Sequence, residues 1–228
     1  MAINVNTVYK TVLLILNKEQ RGYMTPEEFN KIGAQVQLEI FEKYFEDLNQ
    51  LTRSPQTDTD YADRIAYLEE KLSPLTRYEA GISSQEGVVT NTVHRLNTVV
   101  YNDLELQRVS RGEYTNINKS PLTRPSLTQP VFIQENNLIY TYPISVSSNV
   151  FLSYIKRPTD PVWSFTSGNT LGVYVYTNVG SQDFELHSSE QTELILRILA
   201  YAGIVLNNPQ IVQAASAAVQ NQNINEKR

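Results

Sequence analysis

Thr25-Pro26-Glu27-Glu28-Phe29-Asn30-Lys31-Ile32-Gly33-Ala34-Gln35-Val36-Gln37-Leu38-Glu39-Ile40-Phe41-Glu42-Lys43-Tyr44-Phe45-Glu46-Asp47-Leu48 carries every mark of a long helix with a defined start. Proline at the first helical position loses only an amide that had no partner. Thr25 as N-cap and Glu28 three residues later form a capping box. Phe29, Ile32, Val36, Ile40, Tyr44 and Leu48 then recur at helical spacing, and Phe41 and Phe45 widen the stripe. Upstream, Val5, Val8, Val12 and Leu16, with Tyr9 and Leu13 beside them, predict a first helix. A polar turn from Asn17 to Tyr23, containing Gly22, separates the two. Downstream, residues 53–59 read as a linker. A shorter amphipathic helix follows, with Tyr61, Ile65, Leu68 and Leu72 on one side and Pro74 closing it.

From about residue 80 the period shortens. Leu104 and Leu106 alternate with Glu105 and Gln107. Val131-Phe132-Ile133 and Leu138-Ile139-Tyr140 flank the Asn-rich turn 134–137, which predicts a hairpin. Phe151, Ser153 and Ile155 oppose Val150, Leu152 and Tyr154, and Val173-Tyr174-Val175-Tyr176 makes another strand between Gly172 and Gly180. The stretch 114–130 contains Pro121, Pro125 and Pro130 and so is neither continuous helix nor central strand. It is expected as an extended loop that a partner orders. Helix returns where Ser188 caps and Gln191 stands at the third position, followed by Leu194, Ile195, Ile198, Leu199, Ala202 and Leu206. Asn207-Asn208-Pro209 restarts a last helix carrying Val212, Ala215 and Val219, which makes an αα-hairpin.

Helices, then strands, then helices predict an α+β fold. Residues 1–78 and 185–222 are expected to pack as one discontinuous helical body. Residues 79–184 should form a central antiparallel β lobe, with 223–228 a mobile tail.

The composition removes whole classes of function. The 228 residues include no cysteine, so there is no disulfide framework, thiol nucleophile or Cys-ligated zinc. The two histidines, His94 and His187, lie far apart in sequence, which argues against a histidine-rich metal site. A net charge of −5 speaks against a dedicated nucleic-acid or anionic-membrane binder. The longest aliphatic run, residues 12–16, is far short of the roughly 20 residues that span a bilayer. Met1-Ala2-Ile3-Asn4 lacks the basic region of a secretory signal, so the expectation is a soluble protein made in a reducing compartment. Ser, Thr, Asn and Gln make up 71 residues, more than the charged ones, and 14 tyrosines outnumber 7 phenylalanines. Uncharged polar groups with tyrosine suit large, wet protein contacts, whose cores are depleted of charge.

Catalytic motifs are missing. There is no Gly-Lys-Ser/Thr phosphate loop, no Gly-x-Gly-x-x-Gly and no Gly-x-Ser-x-Gly. Gly81-Ile82-Ser83-Ser84 reads as a loop. His187 beside Ser188 is placed to solvate a helix start, and His94 falls on a strand. The pairs Glu27/Glu28, Glu42/Glu46 and Glu69/Glu70 lie on amphipathic helices, where carboxylates are solvated or cap. Trp163, Phe165, Tyr174 and Tyr176 form a candidate aromatic platform for a sugar or base, although strand aromatics usually serve core or interface. Lys156-Arg157 before Pro158 reads as a solvated strand end or an inter-subunit ion-pair partner.

Arg21-Gly22-Tyr23-Met24-Thr25-Pro26-Glu27-Glu28-Phe29-Asn30, continuing through 34–41, resembles the start of virion structural proteins of crAss-like short-tailed phages. Tyr154-Ile155-Lys156-Arg157-Pro158-Thr159 and Phe184-Glu185-Leu186-His187-Ser188-Ser189-Glu190, running into Gly203-Ile204, resemble their head-to-tail connector, or ring, proteins. The resemblance spans both ends and part of the middle; residues 80–130 depart from it. It implies a helical body with a β lobe, assembled in twelve copies beside the portal protein and neighbouring ring or tail proteins. Genomic DNA would pass through the lumen without sequence-specific binding. It carries no catalytic, cofactor or metal residues. On this reading the candidate subunit-interface residues are Tyr114, Pro121, Arg124, Pro125, Lys156, Arg157 and Trp163. The alternative is a carbohydrate-binding or hydrolytic tail-associated module using Trp163 and the strand tyrosines. A periplasmic ligand-binding protein ranks last, for want of a signal segment.

Overall fold

The computed structural model describes residues 2–18, 24–53, 60–82, 86–88, 93–136, 138–146, 149–167, 174–205 and 209–226. Gly22, most of the 53–59 linker, Ser83-Ser84, Gly172 and Asn207-Asn208 lie outside these. The fold is α+β. Its helices are α1 (Val5–Lys18), α2 (Pro26–Arg53), α3 (Asp60–Leu72), α4 (Arg111–Ile117), α5 (Gln191–Val205) and α6 (Pro209–Glu226). Its strands are β1 (Thr76–Ile82), β2 (Glu86–Val88), β3 (Val93–Tyr101), β4 (Leu104–Glu105), β5 (Gln107–Arg108), β6 (Val131–Glu135), β7 (Leu138–Tyr142), β8 (Val150–Lys156), β9 (Phe165–Ser167) and β10 (Tyr174–Tyr176).

The chain divides into two compact units: Met1–Pro74 with Pro158–Arg228, and Leu75–Arg157. This differs from the expected 79–184 lobe chiefly at its second boundary, because residues 158–184 belong with the helices. The reason is a set of side-chain amides on α2. Asn30 accepts the Trp163 N–H at 2.8 Å through Oδ1 and donates to the Trp163 carbonyl at 3.3 Å. Gln37, 1% exposed, donates to the Thr159 carbonyl at 2.8 Å and accepts the Glu185 N–H at 3.0 Å. The N-terminus adds a bridge between Ile3 and Phe184, and Asp183 accepts the Val5 N–H at 2.9 Å. These bonds stitch an irregular segment to a helix surface, and no periodicity records them.

The predicted stripes of α1 and α2 supply much of the core of the helical unit. Val5, Val8, Tyr9, Val12 and Leu16 of α1 are buried, as are Phe29, Val36, Ile40, Phe41, Tyr44 and Phe45 of α2. The α2 capping box is present: Thr25 Oγ1 accepts the Glu28 N–H at 3.3 Å, and Glu28 accepts the Thr25 N–H at 2.9 Å. Fully burying a large apolar side chain such as Phe29 or Phe184 contributes about 1.5–3 kcal/mol. Two ionic groups are buried beside this apolar core. Lys71 pairs with Glu190 at 2.7 Å, and Lys43 and Arg197 converge on the fully buried Glu193. Tyr201 donates to Glu39, which holds its phenol above the usual range, with burial adding to the effect.

The C-terminal helix cap is corrected by one residue. His187, not Ser188, is the N-cap, of a 3-10 turn at Ser188–Glu190 that leads into α5. Most of the expected tail is continuous with α6, which runs to Glu226. No proline or glycine interrupts residues 210–226, and the alanines there favour helix.

The β unit holds two four-stranded sheets, ordered β1-β8-β3-β4 and β2-β7-β6-β5. Val99, Leu106, Phe132, Ile139, Val146, Val150, Leu152 and Tyr154, drawn from both sheets, form one buried cluster between them. The hairpin turns use left-handed residues, Asn102 and Asp103 between β3 and β4 and Asn136 between β6 and β7, as short polar side chains permit. The pairing is antiparallel except at β5–β6, which is parallel. That departure has a cause: parallel neighbours need a long crossover, and residues 109–130 supply it.

Candidate interaction surface

The crossover between β5 and β6 runs through residues 109–130. Ser110-Arg111-Gly112-Glu113 is a second capping box. Ser110 Oγ accepts the Glu113 N–H at 3.3 Å, and Glu113 accepts the Ser110 N–H at 2.7 Å, which holds its carboxyl below the usual range. The helix it opens, α4, corrects the expectation of an extended loop over 114–130: Tyr114 to Ile117 are helical. The spacing Ser-x-x-Glu is the signal that reveals it.

Tyr114 and Ile117 turn inward. With Val109, Val131, Ile133, Tyr140 and Tyr142 they cover the second face of the β6–β7 sheet. Tyr114 stacks on Tyr142 with centroids 4.1 Å apart at 27°. Burial, then the neighbouring Tyr142, pushes its phenol up. Arg111 lies over the Tyr140 ring at 5.3 Å, forms a two-pronged pair with Glu135 at 2.9 and 2.7 Å, and donates to Tyr142 Oη. That pairing holds the Glu135 carboxyl below its ordinary value and raises the guanidinium.

Beyond α4 the chain forms an arm, residues 118–130, held by its own bonds. Arg124 N–H reaches the Ser120 carbonyl at 3.1 Å, Thr123 Oγ1 donates to the Ile117 carbonyl at 2.8 Å, and Ser126 bridges to Gln129. Pro121, Leu122, Arg124 and Leu127 are exposed on it, Leu122 at 94%.

The sequence candidates therefore separate. Pro121, Arg124 and Pro125 share the arm. Tyr114 lies at its base, engaged with Tyr142. Lys156 ends β8 half-buried, and Arg157 is exposed at the last residue of the β unit.

Trp163 is corrected: it is 4% exposed, donates to Asn6 Oδ1 at 3.2 Å and packs on Tyr9 at 4.3 Å. A ring in that position offers neither a sugar platform nor a contact to a neighbour. Phe165 stacks on it at 6.0 Å and Tyr176 meets it tilted at 5.7 Å, and both rings are half-buried.

His187 Nδ1 faces Ser189 Oγ at 2.9 Å and accepts the Ser189 N–H, as a cap does. The adjacent carboxylate, Glu190, meets the serine rather than the imidazole. In a hydrolytic triad the histidine stands between the other two. His94 is exposed on β3. Among the described residues, no group of three or more His, Asp or Glu is placed to hold a metal ion. No helix among them is long and apolar enough to cross a membrane.

No protein-family model matches the chain, and no curated protein matches it.

Proposed function

We propose that the chain is a virion structural protein, a subunit of a head-to-tail connector ring of a crAss-like short-tailed phage, with DNA passing through the lumen. The observation that carries this reading is the arm, a segment held by its own hydrogen bonds whose most exposed large hydrophobic side chain is Leu122. Rigid apolar projections are stable in solution only at a cost, and they gain when a neighbour covers them. The sequence resemblance to ring proteins supplies the kind of neighbour: identical subunits in a twelve-membered ring, with portal and tail proteins above and below. A net charge of −5 suits a conduit, because a strongly basic lumen would bind phosphate and stall the genome. The role is assembly in the host cytoplasm and residence in the virion, not turnover of a substrate.

Native mass spectrometry of the purified chain and negative-stain microscopy of particles test it. Closed oligomers of one mass and a ring at the portal vertex are expected. A chain that is solely monomeric and absent from particles would refute the proposal.

A further inference from the structure

Between Val109 and Pro130, both buried, lies a segment in which no residue is buried. Of residues 110–129 only Tyr114, Ile117, Ser120 and Pro125 are half-buried, and the rest are exposed. Among the described residues its backbone bonds return to the segment itself, from Tyr114 to Ser110, Asn118 to Tyr114, Arg124 to Ser120 and Gln129 to Ser126. The arm is tied to α4 by Thr123, which donates to the Ile117 carbonyl, and by Arg124, which donates to the Asn118 carbonyl.

One side of α4 holds this segment to the sheet. Arg111, Tyr114 and Ile117 recur every third residue and so share a helix face. Arg111 pairs with Glu135 and reaches Tyr142 Oη, Tyr114 stacks on Tyr142, and Ile117 packs on the same cluster. A helix of 7 residues is not stable by itself. The ion pair adds little, because the Arg111 and Glu135 side chains are 48% and 42% exposed. Beneath this light attachment lie Val131 and Ile133, both buried.

We infer that α4 and the arm form a strap that opens as one piece about Val109 and Pro130, with Arg111–Glu135 as its clasp, while the sheets stay paired. Segments with few buried contacts and solvent-exposed bonds open first. The ladder is anchored outside the strap: the Gln107 N–H bonds the Pro130 carbonyl, the Val109 N–H bonds the Phe132 carbonyl, and β6 pairs with β7 from Val131 to Glu135. Opening uncovers Val131 and Ile133 and lets Leu122 change place. The strap stands whether or not the ring reading holds.

The clasp makes closure sensitive to charge. The ionisable groups at the contact are Arg111, Glu113 and Tyr114 on α4, with Glu135, Tyr140 and Tyr142 beneath it. Arg111 holds the Glu135 carboxyl below its ordinary value, and Ser110 does the same for Glu113. Each carboxylate favours closure above its open-state pKa, and that contribution is lost as pH falls through the closed-state one. Burial, then Tyr142, raises the Tyr114 phenol, against opposition from Arg111 and Arg124. The phenol favours closure below its open-state pKa, and that contribution is lost as pH rises through the closed-state one. The strap is therefore closed at neutral pH, opens toward both extremes, and is weakened by salt.

Hydrogen exchange of the full chain, read by mass spectrometry on peptides from 110–129 and from 131–142, tests this. Protection of α4 should lie roughly tenfold or more below that of the β6–β7 ladder. Glu135→Gln should lower α4 protection a further two- to fivefold, roughly, and leave the ladder unmoved. Raising salt from about 0.05 to about 1 M should lower α4 protection in the native sequence and not in Glu135→Gln. Tyr114→Ala should lower it roughly tenfold or more, and Tyr114→Phe, which keeps the stack, should restore it. If α4 and the ladder exchange in step in every variant, the segment opens only with the whole unit and the strap is overturned. It is equally overturned by α4 amides that show no protection at neutral pH, or by a Glu135→Gln effect of the same size on both peptides.

Discussion

Gln37 is a polar residue on the apolar side of a long helix, and its one amide satisfies two backbone groups from segments more than 120 residues away. Gln37→Leu keeps the volume and strands both the Thr159 carbonyl and the Glu185 N–H. Each unsatisfied buried group costs about 1–3 kcal/mol, so the urea midpoint should fall sharply while helix content of the folded state stays unchanged. An unaltered midpoint would show that water replaces the amide. Glu28 makes a different kind of single-residue contribution. The Thr25 N–H and hydroxyl hold its carboxyl below the ordinary value. A depressed carboxylate stabilises the fold above its unfolded pKa, and that contribution is lost as pH falls through the folded one. Glu28→Gln should therefore flatten the decline of stability between about pH 5 and pH 3, read from urea midpoints, and leave higher pH little changed beyond the loss of charge.

At the scale of elements, the αα-hairpin turns on one glycine. A Cβ on Gly203 would lie 2.9 Å from Ile211 Cγ2 and 3.1 Å from Ile211 Cβ and Val212 Cγ2. Alanine gains about 1 kcal/mol of helix propensity at this position. The clash involves a Cβ that cannot rotate away, and overpacking costs about 1–3 kcal/mol, so α6 must shift. Gly203→Ala should lower stability and raise protease cleavage in α6. Ile211→Ala should cost less in the Gly203→Ala background than alone, a coupling that a double-mutant cycle reads. Zero coupling would mean that the helices separate freely.

The same scale explains what the sequence discloses. The stripes of α1 and α2 and the alternation of β8 are written in single residues three, four or two apart, and they are found where expected. The start of α4 is also written there, in Ser110 and Glu113, but the prolines of 121–130 outweigh it in a reading of the whole stretch. Trp163 is different. Its burial depends on Asn6, Asn30 and Tyr9, and nothing within ten residues of it says so. Pro121 and Arg124 are exposed in the turn after α4.

For the whole molecule, the division into units makes the strongest demand. Leu75–Arg157 is continuous in sequence, holds both sheets, and buries two apolar clusters of its own on the two faces of the β6–β7 sheet. The helical unit is discontinuous, and its two parts are joined by Asn30, Gln37, the Ile3–Phe184 bridge and the Lys71–Glu190 pair. A unit with its own core folds on its own, although at about 80 residues its margin is small. Expressed alone, residues 75–157 should give dispersed amide resonances and one cooperative thermal transition. Residues 1–74 alone should not, because Glu190 and Phe184 are then missing and Lys71 is left as a charge in an incomplete core. In the intact chain, Gln37→Leu should move only the transition that the fragment 75–157 lacks. A single transition for the intact chain, shifted as a whole by Gln37→Leu, together with an unfolded 75–157 fragment, would mean that the two units are one cooperative body.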